Sequence, residues 1–194
     1  MSNPGNFAPE AIARLASAHE DYQTTVSAHY DEVLHEVARR VDEAQSIGKS
    51  DIAALVFWKR LRADTPWVPR LMECPDADVR AKTAVAVAAV RDTTIPTWEA
   101  AGTGRSALAA LPGLLRGDAL ASALLLSAAP QRMAVYDRRA HQALELLGIT
   151  LSSRPGRYRR YMEILEQLRQ AVNARGAEWT NRDVDQALYW LGGS

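Results

Sequence analysis

The sequence predicts an all-α fold, and three features of its 194 residues favour that class. Apolar residues recur at helical spacing along most of the chain. Only residues 132–136 offer a run that alternates with a period of two, as a strand would. Glycine and proline interrupt the apolar stretches at short intervals, which is typical of helices joined by short connections. We therefore expect about eight or nine helices packed into one compact domain.

The N-terminal part predicts two helices that form an arm. Pro9 suits the first position of a helix over residues 9–20, and a second helix over 27–46 ends at Gly48. The second helix carries an apolar stripe that needs a partner surface: Tyr30, Val33, Leu34, Val37 and Val41. That surface belongs either to the chain's own domain or to another subunit. Residues 1–47 are thus interpreted as a helical extension that covers the domain or forms a homodimer.

Capping and breaking residues delimit the next helices. Ser50 is expected to cap a helix that ends at the pair Thr65-Pro66. Residues 67–75 hold or adjoin three prolines and are expected to form a loop. Asp76 then begins a helix with an inner face at helical spacing: Val79, Thr83, Ala86, Val87 and Val90.

Glycine and proline also divide the second half. Gly102 and Gly104 predict a break before a short helix over 106–111. An apolar helix over 119–129 ends at Pro130. Three more helices follow: one after Asp137 with Ala140, Leu144 and Leu147 on one face, one over 158–175 with Ile164, Leu165, Leu168 and Val172 inside, and a last one capped by Thr180.

Composition excludes several classes of protein. The single cysteine, Cys74, excludes an intrachain disulfide and any iron–sulfur or zinc site built on several cysteines. Residues 119–130, the longest apolar run, are too short for a bilayer span, which needs about 20 residues. The N-terminus lacks the basic start and apolar core of a signal peptide. We expect a cytoplasmic protein with no membrane partner, no metal and no cofactor.

The charge is uneven although the net charge is zero. Residues 101–194 carry 12 arginines against 8 acidic residues, whereas residues 1–100 carry 11 basic residues against 15 acidic ones. Part of the basic excess is clustered: Arg154, Arg157, Arg159 and Arg160 lie close together, and Arg138 and Arg139 follow Asp137. This cluster is either a phosphate-binding patch or simply the solvated start of a helix.

Asp137 is the candidate for chemistry, because it stands directly before a helix and beside basic residues. One interpretation is an ordinary N-cap or salt bridge; the other is a catalytic carboxylate. Lys59 is one of three lysines and lies on an otherwise apolar helix. Its ammonium either extends to solvent or pairs with Asp137, and we expect the pair to be in contact.

The turn over residues 112–118 joins two predicted helices and holds Gly113 and Gly117. A glycine turn at a helix N-terminus presents backbone N–H groups that can hold a DNA phosphate, with Arg116 beside them. The alternative is a hairpin that only connects two helices.

Residues 111–137 resemble the helix-hairpin-helix and Gly/Pro-Asp (HhH-GPD) region of base-excision DNA glycosylases. The likeness rests on Leu111-Pro112-Gly113, Gly117, the Ala/Ser-rich helix around 121–125, the apolar triplet Ala134-Val135-Tyr136, and Asp137. Further elements are similar to a group of uncharacterised bacterial proteins: Trp58-Lys59, Arg139-Ala140, Tyr158, Tyr161 and residues 184–188. The resemblance covers roughly residues 48–192.

The resemblance implies an HhH-GPD-like domain over residues 48–194 that binds DNA and excises a damaged or modified base. It implies Asp137 as the catalytic residue, Lys59 as its charge partner, and Trp58 and Tyr136 in the base pocket. The implied DNA contacts are Gly113, Arg116, Gly117, Arg138, Arg139, Arg157, Arg159 and Arg160.

The hairpin departs from the family's pattern in two ways. Its turn is too long when aligned from the Leu-Pro-Gly segment, and Ala119 stands where the strand-cleaving members have lysine. A monofunctional glycosylase without lyase activity is therefore expected. The alternatives are a catalytically inactive HhH-type DNA-binding protein and a protein-interaction module.

Overall fold

The computed structural model describes residues 7–193, and every regular element in that part is a helix. The all-α prediction is therefore confirmed. The described part holds ten helices: α1 (Pro9–Thr25), α2 (Glu32–Ala44), α3 (Lys49–Trp58), α4 (Trp67–Glu73), α5 (Asp76–Arg91), α6 (Thr97–Leu108), α7 (Ala119–Ala128), α8 (Arg138–Leu146), α9 (Arg157–Asn173) and α10 (Asn181–Leu191). None of these helices is long and apolar enough to cross a membrane.

The apolar helix α7 lies at the centre of the core. Residues 120–128 are all buried, and α2, α3, α5 and α6 contact this helix from different sides. A helix that is apolar all round is stable only when it is surrounded in this way, because any exposed face would leave apolar area in water. The central position of α7 fixes the hairpin that precedes it and the segment that follows it.

The predicted arm packs on the same core. Its residues 1–6 lie outside the described part of the chain, but α1 packs along α10, and α2 contacts α3 and α7. Leu34, Val37 and Val41 of the α2 stripe are buried in the chain's own core. The partner surface that the stripe requires is thus supplied within the chain, and the stripe no longer argues for a second subunit.

Both predicted ends of α3 are wrong, and so is the predicted loop over residues 67–75. Helix α3 begins at Lys49 rather than after a Ser50 cap, because Gly48 is the N-cap and donates its N–H to Asp51 at 2.9 Å. It ends at Trp58, well before residue 65. Residues 67–73 of the predicted loop form α4. The nearby prolines do not prevent this helix. Pro66 and Pro69 stand at its start, where no intrahelical N–H bond is needed, and Pro75 follows its end.

The predicted break at Gly102 and Gly104 is also wrong, because both lie inside α6. A Cβ on Gly104 would lie only 2.7 Å from a methyl carbon of Val90 and 3.1 Å from one of Leu125. The missing side chain therefore lets α6 approach α5 and α7 closely. Packing with neighbouring helices outweighs the low helix propensity of glycine at this position.

Candidate functional site

A buried extended segment, residues 133–136, leads into Asp137. It is not a strand, although its alternating sequence had left that interpretation open. The hydroxyls of Tyr158 and Tyr161 on α9 donate to two of its carbonyl oxygens, at 2.8 and 3.1 Å. Buried carbonyl groups require such partners, so α9 holds the segment in place.

The amide groups of the same segment are held from the other side. The N–H of Val135 donates to the Asp185 carboxylate on α10 at 3.1 Å. The N–H of Tyr136 donates to the hydroxyl oxygen of Ser122 on α7 at 3.0 Å. Three helices therefore fix the backbone that carries Asp137 before that residue makes any contact of its own.

The Asp137 carboxylate has two partners of different kinds. Its Oδ1 accepts the backbone N–H of Ala140 at 3.0 Å and so caps α8. Its Oδ2 accepts a hydrogen bond from the Lys59 ammonium, which is the contact expected from the sequence. The side chains of Lys59 and Asp137 are only 12% and 18% exposed. The cap and the ion pair thus coexist, and each stabilises one position of the carboxylate.

Asp137 lies between two spaces of very different size. On one side is a small cavity of about 20 Å³, which Lys59 and Trp58 also line. On the other is an open cleft of about 360 Å³, which Tyr136 lines. Trp58 and Tyr136, both expected in one base pocket, therefore line different spaces, and Asp137 is shared by the two.

The open cleft contains a second carboxylate, Asp118, at the start of α7. Arg105 donates to it at 2.8 Å, and Arg157 donates to it twice, at 2.8 and 3.0 Å. The Arg157 guanidinium also lies 4.7 Å from the centre of the Tyr136 ring. Asp118 thus satisfies two of the cations nearest the hairpin, and a DNA phosphate would have to share them.

The cleft also brings a histidine next to the predicted site. The Tyr136 hydroxyl and the Nδ1 of His141 are 3.3 Å apart, and the Nε2 of His141 lies 3.4 Å from Glu145. Burial raises the pKa of Tyr136, although Arg157 opposes that shift. His141 therefore lies at the wall of the cleft that holds Asp137, between Tyr136 and Glu145.

The hairpin between α6 and α7 differs at its two glycines. Both Gly113 and Gly117 have φ of +82°. Gly113 packs against Trp67, where a Cβ would lie 2.4 Å from a ring carbon, while a Cβ on Gly117 would meet nothing within 4 Å. The Arg105 guanidinium donates to the turn's carbonyl oxygens from inside. Of the two glycines expected to face DNA, only Gly117 presents an open surface.

The predicted DNA-contacting arginines have diverse surroundings. Arg159 lies 3.3 Å from Glu99, and Arg139 lies over the Tyr189 ring at 4.6 Å. Arg160 donates to the carbonyl oxygens of the 152–155 loop. Arg116 and Arg138 are exposed, and within residues 7–193 neither has an ion-pair partner. These last two are the cations most available to an external phosphate.

Three charged residues to which the sequence assigned no role meet behind Asp137. Arg182 donates to Asp31 at 2.6 Å and also to Asp185. Burial raises the pKa of the Asp185 carboxyl to about 6, although Arg182 lowers it. Asp185 could have been found, since it continues the buried stripe of α10 at helical spacing. Asp31 lies 151 positions from Arg182, and no local pattern signals that contact.

No group of three or more His, Cys, Asp or Glu side chains in residues 7–193 is arranged to hold a metal ion. Comparison with family models, with curated proteins and with solved structures finds no match to this chain. The site must therefore be interpreted from its own geometry and from the motif around Asp137.

Proposed function

We propose that the protein is a DNA glycosylase of the monofunctional type, with Asp137 as its catalytic carboxylate. The observation that carries this proposal is the position of Asp137, which caps α8 at the edge of an open cleft while Lys59 holds its other oxygen. The cleft's volume of about 360 Å³ is within the usual range for a ligand site, about 300–1,000 Å³.

The chemistry follows from the bond that is broken. Cleavage of an N-glycosidic bond builds positive charge on the deoxyribose, and a fixed carboxylate stabilises that charge or takes a proton from the attacking water. The base must first leave the duplex stack, so the enzyme needs both a pocket and contacts to the backbone. Arg138 lines the cleft beside Asp137 and is suited to a neighbouring phosphate.

Hydrolysis rather than strand cleavage is the proposed outcome. Ala119 lines the same cleft, at the position where the lyase members of the resembled family carry lysine. The hydrolytic reaction needs no metal and no cofactor, because the carboxylate and a water molecule supply all the groups that react.

The proposal is tested by base release. Duplexes that each carry one damaged or modified base are incubated with the protein, and free base is measured by mass spectrometry. We expect release from at least one duplex and a loss of at least about 100-fold in Asp137→Asn, in line with the usual contribution of a positioned general base. The change keeps an oxygen that can cap α8, and circular dichroism at 222 nm checks that the variant is folded.

The matched control is Asp64→Asn, since Asp64 is an exposed aspartate that pairs with Arg62 away from the cleft. It should release base like the wild type. Equal release by wild type and Asp137→Asn on every duplex would overturn the assignment of Asp137.

A second candidate is DNA binding without catalysis. Two observations favour it: both oxygens of Asp137 already have partners, and the cavity behind it is small. Under this alternative, Arg116→Ala with Arg138→Ala weakens duplex binding and lowers its salt dependence, while no duplex loses a base. A protein-interaction module, the remaining alternative, would bind no duplex at any salt concentration.

A further inference from the structure

The small cavity behind Asp137 has the aromatic lining of a binding pocket, but its volume is too small for a base. Its lining includes the rings of Tyr22, Tyr30, Trp58 and Tyr189. Its volume of about 20 Å³ holds about one water molecule. A cavity that binds benzene measures about 150 Å³, and a nucleobase is larger than benzene. No base enters unless part of the wall moves.

The wall that can move is the connection between α1 and α2. We call residues 26–31 the cover segment. It lies outside both helices, and its residues Ser27, Ala28 and His29 are exposed. Tyr30 is its contribution to the cavity lining. Segments with an exposed backbone and few buried contacts open at a lower free-energy cost than packed helices do.

Two side chains fasten the cover segment to the rest of the wall. Tyr30 is hydrogen-bonded to Tyr189 on α10, and Asp31 makes the contacts that reach both α3 and α10. Asp31 accepts the indole N–H of Trp58 at 3.1 Å and a guanidinium N–H of Arg182 at 2.6 Å. These contacts tie the segment to α3 and α10 at once. Asp31 stands at the N-cap of α2 without capping it by its side chain, so its carboxylate serves these contacts rather than the helix.

The same contacts continue to the candidate catalytic residue. Arg182 also donates to Asp185, and Asp185 accepts the N–H of Val135, two residues before Asp137. When the contacts of Asp31 are lost, Arg182 therefore keeps Asp185 as its carboxylate partner. The cover segment and the backbone that carries Asp137 share one continuous polar network.

We propose that the cover segment keeps the small cavity too narrow for a base in the free protein, and that its opening admits a base displaced from DNA to the Lys59 side of Asp137. This inference rests on the proposed function, and it names the place of the base and the element that controls entry. The sugar then lies at Asp137 in the open cleft, and the base lies behind it among the aromatic rings.

The first test measures opening in the free protein, without DNA. Asp31→Ala removes both contacts of the carboxylate, while Glu43→Ala removes an exposed carboxylate that pairs with Arg39 near the other end of α2. We expect amide hydrogen exchange in residues 26–31 to rise at least fivefold in Asp31→Ala and to be unchanged in Glu43→Ala. Exchange in helix α7 should be unchanged in both variants. Unchanged exchange in Asp31→Ala would overturn the proposal. If that variant does not fold, Asp31→Asn, which keeps the acceptor for Trp58, is measured with the expectation of a smaller rise.

The second test measures entry of a base. A duplex with one 2-aminopurine in a mismatch becomes more fluorescent when that base leaves the stack. The fluorescence should rise at least threefold faster with Asp31→Ala than with wild type or Glu43→Ala. A variant with faster exchange but unchanged fluorescence would refute the cavity as the base site. Base release by wild type and Asp137→Asn is scored separately, so failure of the catalytic proposal is distinguishable from failure of this one.

Discussion

The contact between Lys59 and Asp137 predicts a measurable coupling in the free energy of unfolding. Lys59→Met removes the ammonium and keeps most of the apolar stem, and Asp137→Asn keeps an oxygen for the N–H of Ala140. Exposed ion pairs contribute about 0–1 kcal/mol, whereas breaking a buried pair costs about 3–5 kcal/mol. With side chains 12% and 18% exposed, this pair lies between those limits. We expect each single change to cost about 2 kcal/mol and the coupling to be about 1.5 kcal/mol.

The assay is urea unfolding followed by circular dichroism at 222 nm, which reports the helices directly. With a slope of about 2 kcal/mol per molar urea, each single variant should shift the midpoint by about 1 M, and the double variant by clearly less than the sum. The exposed pair of Arg62 and Asp64 serves as a control, and its cycle should show almost no coupling. A coupling below about 0.5 kcal/mol for Lys59 and Asp137 would show that the two side chains act independently in solution.

Two further predictions concern the hairpin and the network behind the site. Gly113→Ala and Gly117→Ala impose the same backbone strain, since both residues have φ of +82°, but only the first places a Cβ against Trp67. Urea unfolding should therefore show Gly113→Ala to be the less stable by about 1–3 kcal/mol, and equal stabilities would contradict this packing. Burial raises the pKa of Asp185 to about 6, so the folded protein holds that proton more tightly than the unfolded chain does. The contribution of Asp185 to stability should fall as the pH rises from about 4 to about 6, measured as the difference in the free energy of unfolding between wild type and Asp185→Asn. A difference that does not change with pH would contradict this prediction.

The sequence predicted well those helices whose signals are local. Helix α10 begins after the Thr180 cap, where the Thr180 hydroxyl accepts the N–H of Asp183 and the Asp183 carboxylate accepts that of Thr180. The burial of α5 follows its apolar spacing. The continuity of α6 was missed because the benefit of Gly104 appears only when α5 and α7 lie against it. Helix α4 was not predicted because prolines usually interrupt a helix. Pro66 and Pro69 instead stand at its N-terminal end, where a helix tolerates them.

In the candidate site, too, the sequence predicts residues with local signals and misses those that act through distant contacts. Asp137 could be found because an acid directly before an amphipathic helix is a local signal, and Lys59 because a lysine is unusual at the end of so apolar a segment. The cover segment could not be found. Its anchor, Asp31, acts through Trp58 and Arg182, which lie 27 and 151 positions away, and contacts at such separations leave no periodic trace in one sequence.

The two carboxylates of the cleft differ in how many of their acceptor positions are occupied, and this difference favours Asp137 as the proposed catalytic residue. Asp118 accepts three N–H bonds from Arg105 and Arg157, so both of its oxygens are held by guanidinium groups. Asp137 accepts one bond from a backbone amide and one from an ammonium. A carboxylate offers about four acceptor positions, so Asp137 retains about two within the described contacts. It also lines the open cleft, where water reaches it. A base that takes a proton from water needs a free acceptor position beside that water, and Asp137 meets this requirement better than Asp118.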